Sequence, residues 1–486
     1  MSTPPNILLI MADEHAAQFT GNYGCSEIDT PNLDRLAEQG VAFDNAYCNT
    51  PLCAPSRKSM LCGRLACNCE AYDNTTFFDA RLPTIAHVLG AAGYETILNG
   101  KMHFVGPDLM HGFERRDFAD KPDPWKQKLS NPVRGAVDWR REPQKTFPLR
   151  EKFETCGPRK PDKKEADAGI CRETVRFLTE ECEDRERPFF YVSSMHRPHY
   201  AFTPSQEKLE KYLGKVSPPN VPEGHLAALH PVNQALRRHY DVIDLPEELT
   251  LRARAAYFAL IDEMDERVGL ILAALEQSGR AQDTIVLFTA DHGDMAGEHG
   301  MWFKCVLYDQ SSRVPFIVRW PGVVQPGTRK KEVISLVDLM PTLAEMAGAP
   351  CDCVMDGQSF VPLLRGSATD WKNSAICEFY GEGLNHPVRM LRWGKYKLNW
   401  LVGYEPELFD MEADPGEFEN LAARPEHKET LERLKQKLFE GWDPAETEAR
   451  VRRNQQDRLL IGAARRALNQ RNLTYRINGD PLPLHQ

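Results

Sequence analysis

Two acidic clusters in this sequence each follow a short apolar run. Asp13-Glu14-His15 comes just after NILLIM (6–11), and Asp291-His292-Gly293-Asp294 comes directly after TIVLFTA (284–290). In open α/β sheets, ligands gather at the carboxyl ends of parallel strands. The two clusters could therefore meet at one sheet edge and offer a hard divalent cation several carboxylate oxygens and an imidazole. Each alone also reads as a polar loop closing a strand. A third stretch, Cys53-Ala54-Pro55-Ser56-Arg57, runs on to Gly63-Arg64. Pro55 suits the first turn of a helix, which puts the Cys53 thiol near an N-terminus where the backbone favours an anion.

Cys-x-Pro-Ser-Arg followed by Gly-Arg resembles the signature of the sulfatases, formylglycine-dependent members of the alkaline phosphatase superfamily. The resemblance extends over almost the whole chain: Thr30-Pro31-Asn32-Leu33-Asp34, Asp338-Leu339-Met340-Pro341-Thr342, Asp356-Gly357-Gln358-Ser359 and Leu408-Phe409-Asp410 are further landmarks. It implies a sulfuric ester hydrolase that splits a sulfate monoester into alcohol and inorganic sulfate. It also implies that a formylglycine-generating enzyme converts Cys53 to Cα-formylglycine, whose hydrated aldehyde is the nucleophile. The chemistry agrees. A thiolate attacking sulfate would give a thiosulfate ester with no easy exit, whereas one hydroxyl of a geminal diol attacks and the other expels sulfate from the resulting hemiacetal.

The same resemblance implies roles for other residues. Asp13, Glu14, Asp291, His292 and the formylglycine at 53 would hold the cation, and Arg57 would orient and stabilise the ionised diol. Lys101 and His103 stand in a Gly-Lys-x-His segment, and Lys304 matches a second sulfate-binding lysine; both lysines would neutralise sulfate oxygens. His199, in His196-Arg197-Pro198-His199, would protonate the leaving alcohol, alone or jointly with Lys304, and His103 would help expel sulfate. Glu14 stands where many members carry Asp, and His292 where many carry Asn. Calcium is the implied ion, with manganese, which suits imidazole nitrogen better, as the alternative.

Pro51–Arg57, Ala71-Tyr72-Asp73-Asn74 and Lys101–Asp108, running on to His111-Gly112-Phe113-Glu114, resemble choline sulfatases and the neighbouring arylsulfatase and phosphonate monoester hydrolase group. By that resemblance Asn74 would contact the sulfate. Phosphonate monoester hydrolases carry Tyr and Thr in place of the Lys-x-His pair, so Lys101 and His103 favour sulfate. Trp125 and Trp139, with Glu378, are the candidates for a cage around an ammonium leaving group; Glu378 equally reads as a strand residue. The alternatives are a phosphate or phosphonate ester hydrolase of the same superfamily and a silent relative that binds sulfated ligands.

The elements that must position these residues follow from periodicity. NILLIM, ETILNG, RPFFYVSS, TIVLFTA and VPFIVRW read as buried strands. PNLDRLAEQG, LPTIAHVLGAAG and Pro246 to Ser278 read as helices. The alternation predicts an α/β fold, a large mostly parallel sheet flanked by helices. It breaks from about Asp117 to Lys163, a charged, proline-rich insertion. ICEFY and MLRWGKYKLNW predict a smaller C-terminal α+β subdomain on an antiparallel sheet, so the boundary falls at 1–370 and 371–486. Two charged helices follow. The second, Glu446 to Gln470, carries Leu459, Leu460, Ile461 and Leu468, which suggests packing on a neighbouring subunit in a homo-oligomer, or else on its own domain.

Composition narrows the class. Lys+Arg 60 against Asp+Glu 70 leaves a net charge of −10, which argues against a general nucleic-acid binder. No run approaches the ~20 apolar residues that span a bilayer, and MSTPPNILLIMADEH lacks a basic start, so a cytoplasmic, membrane-free protein is expected. The 13 cysteines are an odd count that favours free thiols, and the Cys67/Cys69 and Cys351/Cys353 pairs lack the spacing typical of zinc sites.

Overall fold

A computed structural model describes residues 4–119, 149–160, 165–182, 186–367, 370–381, 383–384 and 386–468, and the backbone of 475–477 and 480–482. Trp125 and Trp139 lie outside the described residues. Eight strands form the main sheet: β1 (Asn6–Asp13), β2 (Val41–Tyr47), β3 (Glu95–Gly100), β4 (Arg115–Ala119), β5 (Phe189–Pro198), β6 (Thr284–Ala290), β7 (Phe316–Arg319) and β8 (Thr328–Ser335). Their order is β4-β3-β5-β1-β6-β7-β2-β8. All pairings are parallel except those of β7, which runs against both β6 and β2. The apolar runs of β1 and β6 are buried at every position, as strands covered on both faces must be.

The expected helices are present as Pro31–Glu38, Ile85–Ala91 and the 31-residue Glu247–Gln277. Two elements fall in the stretch expected to be irregular, the short helix Arg150–Glu154 and an edge strand. RRDFA forms the edge strand β4, which begins at Arg115 and runs past Asp117 into that stretch. An edge strand needs no second apolar neighbour, and its charges are matched laterally: Arg115 Nη1 lies 2.6 Å from Glu181 Oε2.

A second, four-stranded sheet is wholly antiparallel: β9 (Ser374–Phe379), β10 (Val388–Trp393), β11 (Tyr396–Leu401) and β12 (Glu407–Asp410). Its two faces alternate with the pleat. Val388 and Met390 join the main core, whereas Leu391, Leu398 and Leu408 pack with Leu434, Leu438 and Trp442 around the helix Lys428–Leu438. The last long helix, Pro444–Leu468, lies on its own chain through Thr447, Val451, Gln455 and Arg458, all buried; Leu459, Leu460 and Ile461 stay exposed. All 13 cysteines are free thiols. Among the described residues no helix is long and apolar enough to cross a membrane.

Candidate active site

Four adjacent parallel strands, β3-β5-β1-β6, end at one edge of the sheet. Register pairs Gly100 with Ser194, Asp13 with Pro198, and Ala12 with Ala290. Lys101, His199, Asp13 and Asp291 therefore leave the sheet side by side, although they span most of the chain. Gly100 is needed for this approach: its φ is 102°, and a Cβ there would stand 2.0 Å from Ser194 O.

Cys53 opens the ten-residue helix Cys53–Cys62, with Pro55 inside its first turn as the sequence predicts. Its Sγ lies 3.2 Å from His292 Nε2, 3.3 Å from Lys304 Nζ and 3.7 Å from Asp13 Oδ1. Burial pushes the thiol pKa up, but Lys101, Lys304, His292 and a hydrogen bond with His103 outweigh it and hold the thiol well below its ordinary range. The loop that carries Lys304 is tied to the loop that carries the nucleophile, since Cys305 N donates to Pro51 O at 3.1 Å. Glu14, His103, Phe303 and Cys305 take left-handed φ of 67°, 60°, 63° and 73°, a concentration of backbone strain around Cys53.

The carboxylates are fully buried and matched by cations. Lys101 pairs with Asp13, and Lys304 Nζ lies 2.7 Å from Glu14 Oε2. His199 Nε2 stands 3.2 Å from the same oxygen. Burial and Cys53 would raise the Asp13 carboxyl, yet Lys101, His199 and Arg57 hold it well below the usual range. Glu14 goes the other way: burial raises it to about 7, and Lys304 and His199 offset only part of that.

These residues fit a hard divalent cation. Asp13, Cys53, Asp291 and His292 each present a ligand atom within 4.8 Å of the others, and Asp13, Glu14 and His199 form a second such group. Glu14 Oε1 is buried and meets no hydrogen-bond donor among the described residues. His292 Nδ1 donates to Gly293 O at 2.9 Å. Burial would lower the imidazole pKa, but Asp291 and Cys53 raise it to about 9, so Nε2, which faces Cys53 and the carboxylates, would give up its proton to serve a cation. Gly293 admits this turn because a Cβ would meet Gln310 O at 2.0 Å.

The surroundings of two further residues are well defined. Arg57 donates to Asp291 Oδ2 (2.7 Å), Asp13 Oδ2 (3.0 Å), Lys101 O (2.7 Å) and Ser194 Oγ (2.8 Å). It thus clamps the two aspartates together next to Cys53, with which it also interacts electrostatically. Glu378 is fully buried on β9, 3.0 Å from Arg389 Nη2 and accepting from Cys67 N at 3.0 Å. That is the setting the strand-residue alternative expects, with the charge of Glu378 matched inside the fold. Asn74 sits at the nucleophile, its Oδ1 accepting from Ala54 N at 2.9 Å. Sequence reasoning missed Tyr257, whose Oη donates to Glu14 O at 2.8 Å, and Asp167, which accepts from the backbone of His196 and Arg197 and so fixes the approach to His199. Neither lies in a motif: each acts on backbone, which any side chain could accompany.

Comparison with known proteins places this geometry. The family model described as sulfatase matches residues 5–349, and one described as the N-sulphoglucosamine sulphohydrolase C-terminal region matches 297–442. A choline-sulfatase of Rhizobium meliloti is 33% identical over 95% of this chain and 91% of its own length. An arylsulfatase of Clostridium perfringens is 30% identical over 90% and 94%. Among solved structures, the phosphonate monoester hydrolase of Agrobacterium radiobacter matches with a TM-score of 0.74 at 25% identity, covering 90% of this chain and 95% of that one. The strand edge, the cysteine at the helix start and the family match together establish that the chain belongs to the sulfatase family and is a sulfuric ester hydrolase.

Proposed function

We propose that the protein hydrolyses a small-molecule sulfate monoester at this strand edge, with Asp13, Glu14, Asp291, His292 and position 53 around a divalent metal. The reading rests on one observation: Lys304, His292 and Asp13 converge on Cys53 Sγ within 3.7 Å. A bound cation, calcium or else manganese, would polarise a sulfate oxygen, and the hydrated aldehyde made from Cys53 by a formylglycine-generating enzyme would supply the attacking hydroxyl. Lys101 and Lys304 neutralise the sulfate oxygens. His199, part-exposed at the mouth, is placed to give a proton to the leaving oxygen, jointly with Lys304, while His103 holds or moves the proton at position 53. Asn74, whose carbonyl accepts from Ala54 N beside the nucleophile, would offer its amide to the sulfate. The division at residue 370 and association through the exposed Leu459–Ile461 face belong to the same reading.

Cys53→Ala and Cys53→Ser should lose multiple turnover while melting near the parent temperature, because they delete the covalent step and little packing. The mass of the Cys53 peptide in active protein should show the aldehyde; an unmodified thiol in fully active enzyme would sink the mechanism. Substrate class is tested by comparing aryl sulfate, choline sulfate, aryl phosphate and aryl phosphonate monoester on one metal-loaded preparation. Sulfate esters should have the highest kcat/KM. A phosphorus ester ahead by more than about tenfold, roughly 1.4 kcal/mol of barrier, would replace this reading with phosphonate or phosphate hydrolysis.

A further inference from the structure

The C-terminal helix Pro444–Leu468 reaches the nucleophile through a buried ion pair. Arg458 Nη1 and Nη2 lie 2.8 Å and 2.7 Å from Asp73 Oδ1 and Oδ2, a bidentate geometry, and Arg458 is 2% exposed. Its Nε donates to Asn454 Oδ1 at 2.8 Å, one turn earlier, which fixes the fork. Arg450, two turns back, donates to Cys67 O at 2.9 Å, so the helix lies along the 67–76 segment.

Asp73 uses its remaining capacity to shape the loop it opens. Its Oδ1 accepts from Thr75 N (2.8 Å), Thr75 Oγ1 (2.7 Å) and Thr76 Oγ1 (3.1 Å). The loop is anchored on its far side to the nucleophile's own helix, because Lys58 donates to Thr76 O. Between these anchors sits Asn74, whose Oδ1 accepts from Ala54 N. One chain of contacts thus runs from Arg458 through Asp73 and Asn74 to the residue after Cys53. Arg458 touches neither Cys53 nor the cations around it.

We propose that Arg458 is a positioning residue for sulfate-ester hydrolysis: the C-terminal helix, through the Arg458–Asp73 pair, sets the Asp73–Thr76 loop so that Asn74 holds the start of the Cys53 helix. The proposal rests on the placement of Asn74 given under Proposed function. Without the guanidinium, Asp73 is a buried carboxylate lacking its cation, and the loop that presents Asn74 relaxes toward solvent. A displacement of well under a helical turn suffices to spoil a near-attack geometry.

The test is a double-mutant cycle on the full chain, with kcat/KM for an aryl sulfate corrected for the aldehyde fraction at position 53. Arg458→Met should lower kcat/KM about tenfold, and Arg458→Lys, which keeps the charge but not the fork, should recover part of it. In an Asn74→Ala background the same Arg458→Met change should cost less than about twofold, because the two residues act through one contact. If Arg458→Met yields no folded protein, Asp73→Asn, which keeps the oxygen that caps Thr75 but removes the ion pair, makes the same comparison. Equal losses in both backgrounds, with Asn74→Ala itself impaired, would overturn the proposal alone. A fully active Asn74→Ala would remove Asn74 from the site and the proposal with it.

Discussion

Asp13 and Glu14 are consecutive, yet their surroundings divide their tasks. Asp13 shares a cluster with Cys53, Asp291 and His292 and is held ionised by Lys101, His199 and Arg57. Glu14 joins only Asp13 and His199, keeps a salt bridge with Lys304, and is raised to about 7 by burial. Asp13→Asn or Asp291→Asn should therefore cut both metal content and rate, since each removes a formal charge beside the cation. Glu14→Gln should retain more metal than either, and its defect should fall on the step that uses Lys304 and His199. Metal analysis of purified protein paired with rates decides this; Asp13→Asn at full occupancy and full rate would exclude the site. The sequence displayed Asp13, Cys53, Lys101, His199 and Asp291 because each stands in a short string with its neighbours. It concealed the work of Arg57, whose motif position is plain but whose four acceptors come from four other segments. Arg458 and Asp73 were beyond reach, being 385 residues apart with no pattern linking them.

At the scale of elements, legibility followed burial. Strands β1 and β6 are buried throughout and carry apolar runs legible in the sequence; β4, polar and at the edge, carries none. The reversed direction of β7 leaves no mark on VPFIVRW, because a strand buried on both faces reads alike in either direction. The Lys101–Glu114 segment shows why resemblance alone does not assign roles. Its His111 is fully buried between Phe78 and Phe104, with ring centroids 4.3 and 4.6 Å away; neither ring nitrogen makes a hydrogen bond among the described residues, and Asp108 Oδ2 lies 3.5 Å from Nδ1. Burial lowers its pKa to about 4, Asp108 only partly opposing this. A histidine whose folded pKa lies below its unfolded value leaves the unfolded chain binding more protons between the two, so it removes stability as pH falls from about 6.5 toward 4. His111→Phe should gain on the parent by about 1.4 kcal/mol per pH unit in that window, approaching ~3 kcal/mol at its acid end. Denaturant unfolding at pH 7 and pH 4.5 gives the difference; a constant gap between the two proteins would refute the assignment.

Across the whole molecule, the two sheets are joined by buried charge as well as by the shared core. Lys397 on β11 is fully buried, with Nζ 2.8 Å from Asp309 Oδ1 and 2.7 Å from Glu417 Oε1. Asp309 belongs to the main domain, in the short helix Asp309–Ser312; Ser311 O from the end of that helix accepts from Gly293 N at 2.8 Å, beside His292. The antiparallel sheet therefore fixes the far end of the segment that begins at Lys304. Lys397→Met keeps the length and removes the charge. Asp309 retains Arg313 Nε at 2.9 Å, but Glu417 loses its salt-bridge cation while staying buried. Breaking a buried pair from one side costs about 3–5 kcal/mol, because the stranded carboxylate has no water to turn to. Glu417 already sits at about 7 through burial, so without Lys397 it takes up a proton more readily, and the penalty should be larger at pH 8 than at pH 6. Adding Glu417→Gln to Lys397→Met should recover part of the loss, as removal of both charges leaves less to desolvate. Thermal and denaturant unfolding of the three proteins measure this directly. A loss below about 1 kcal/mol for Lys397→Met, or no recovery in the double variant, would mean that the apolar core alone holds the second sheet in place.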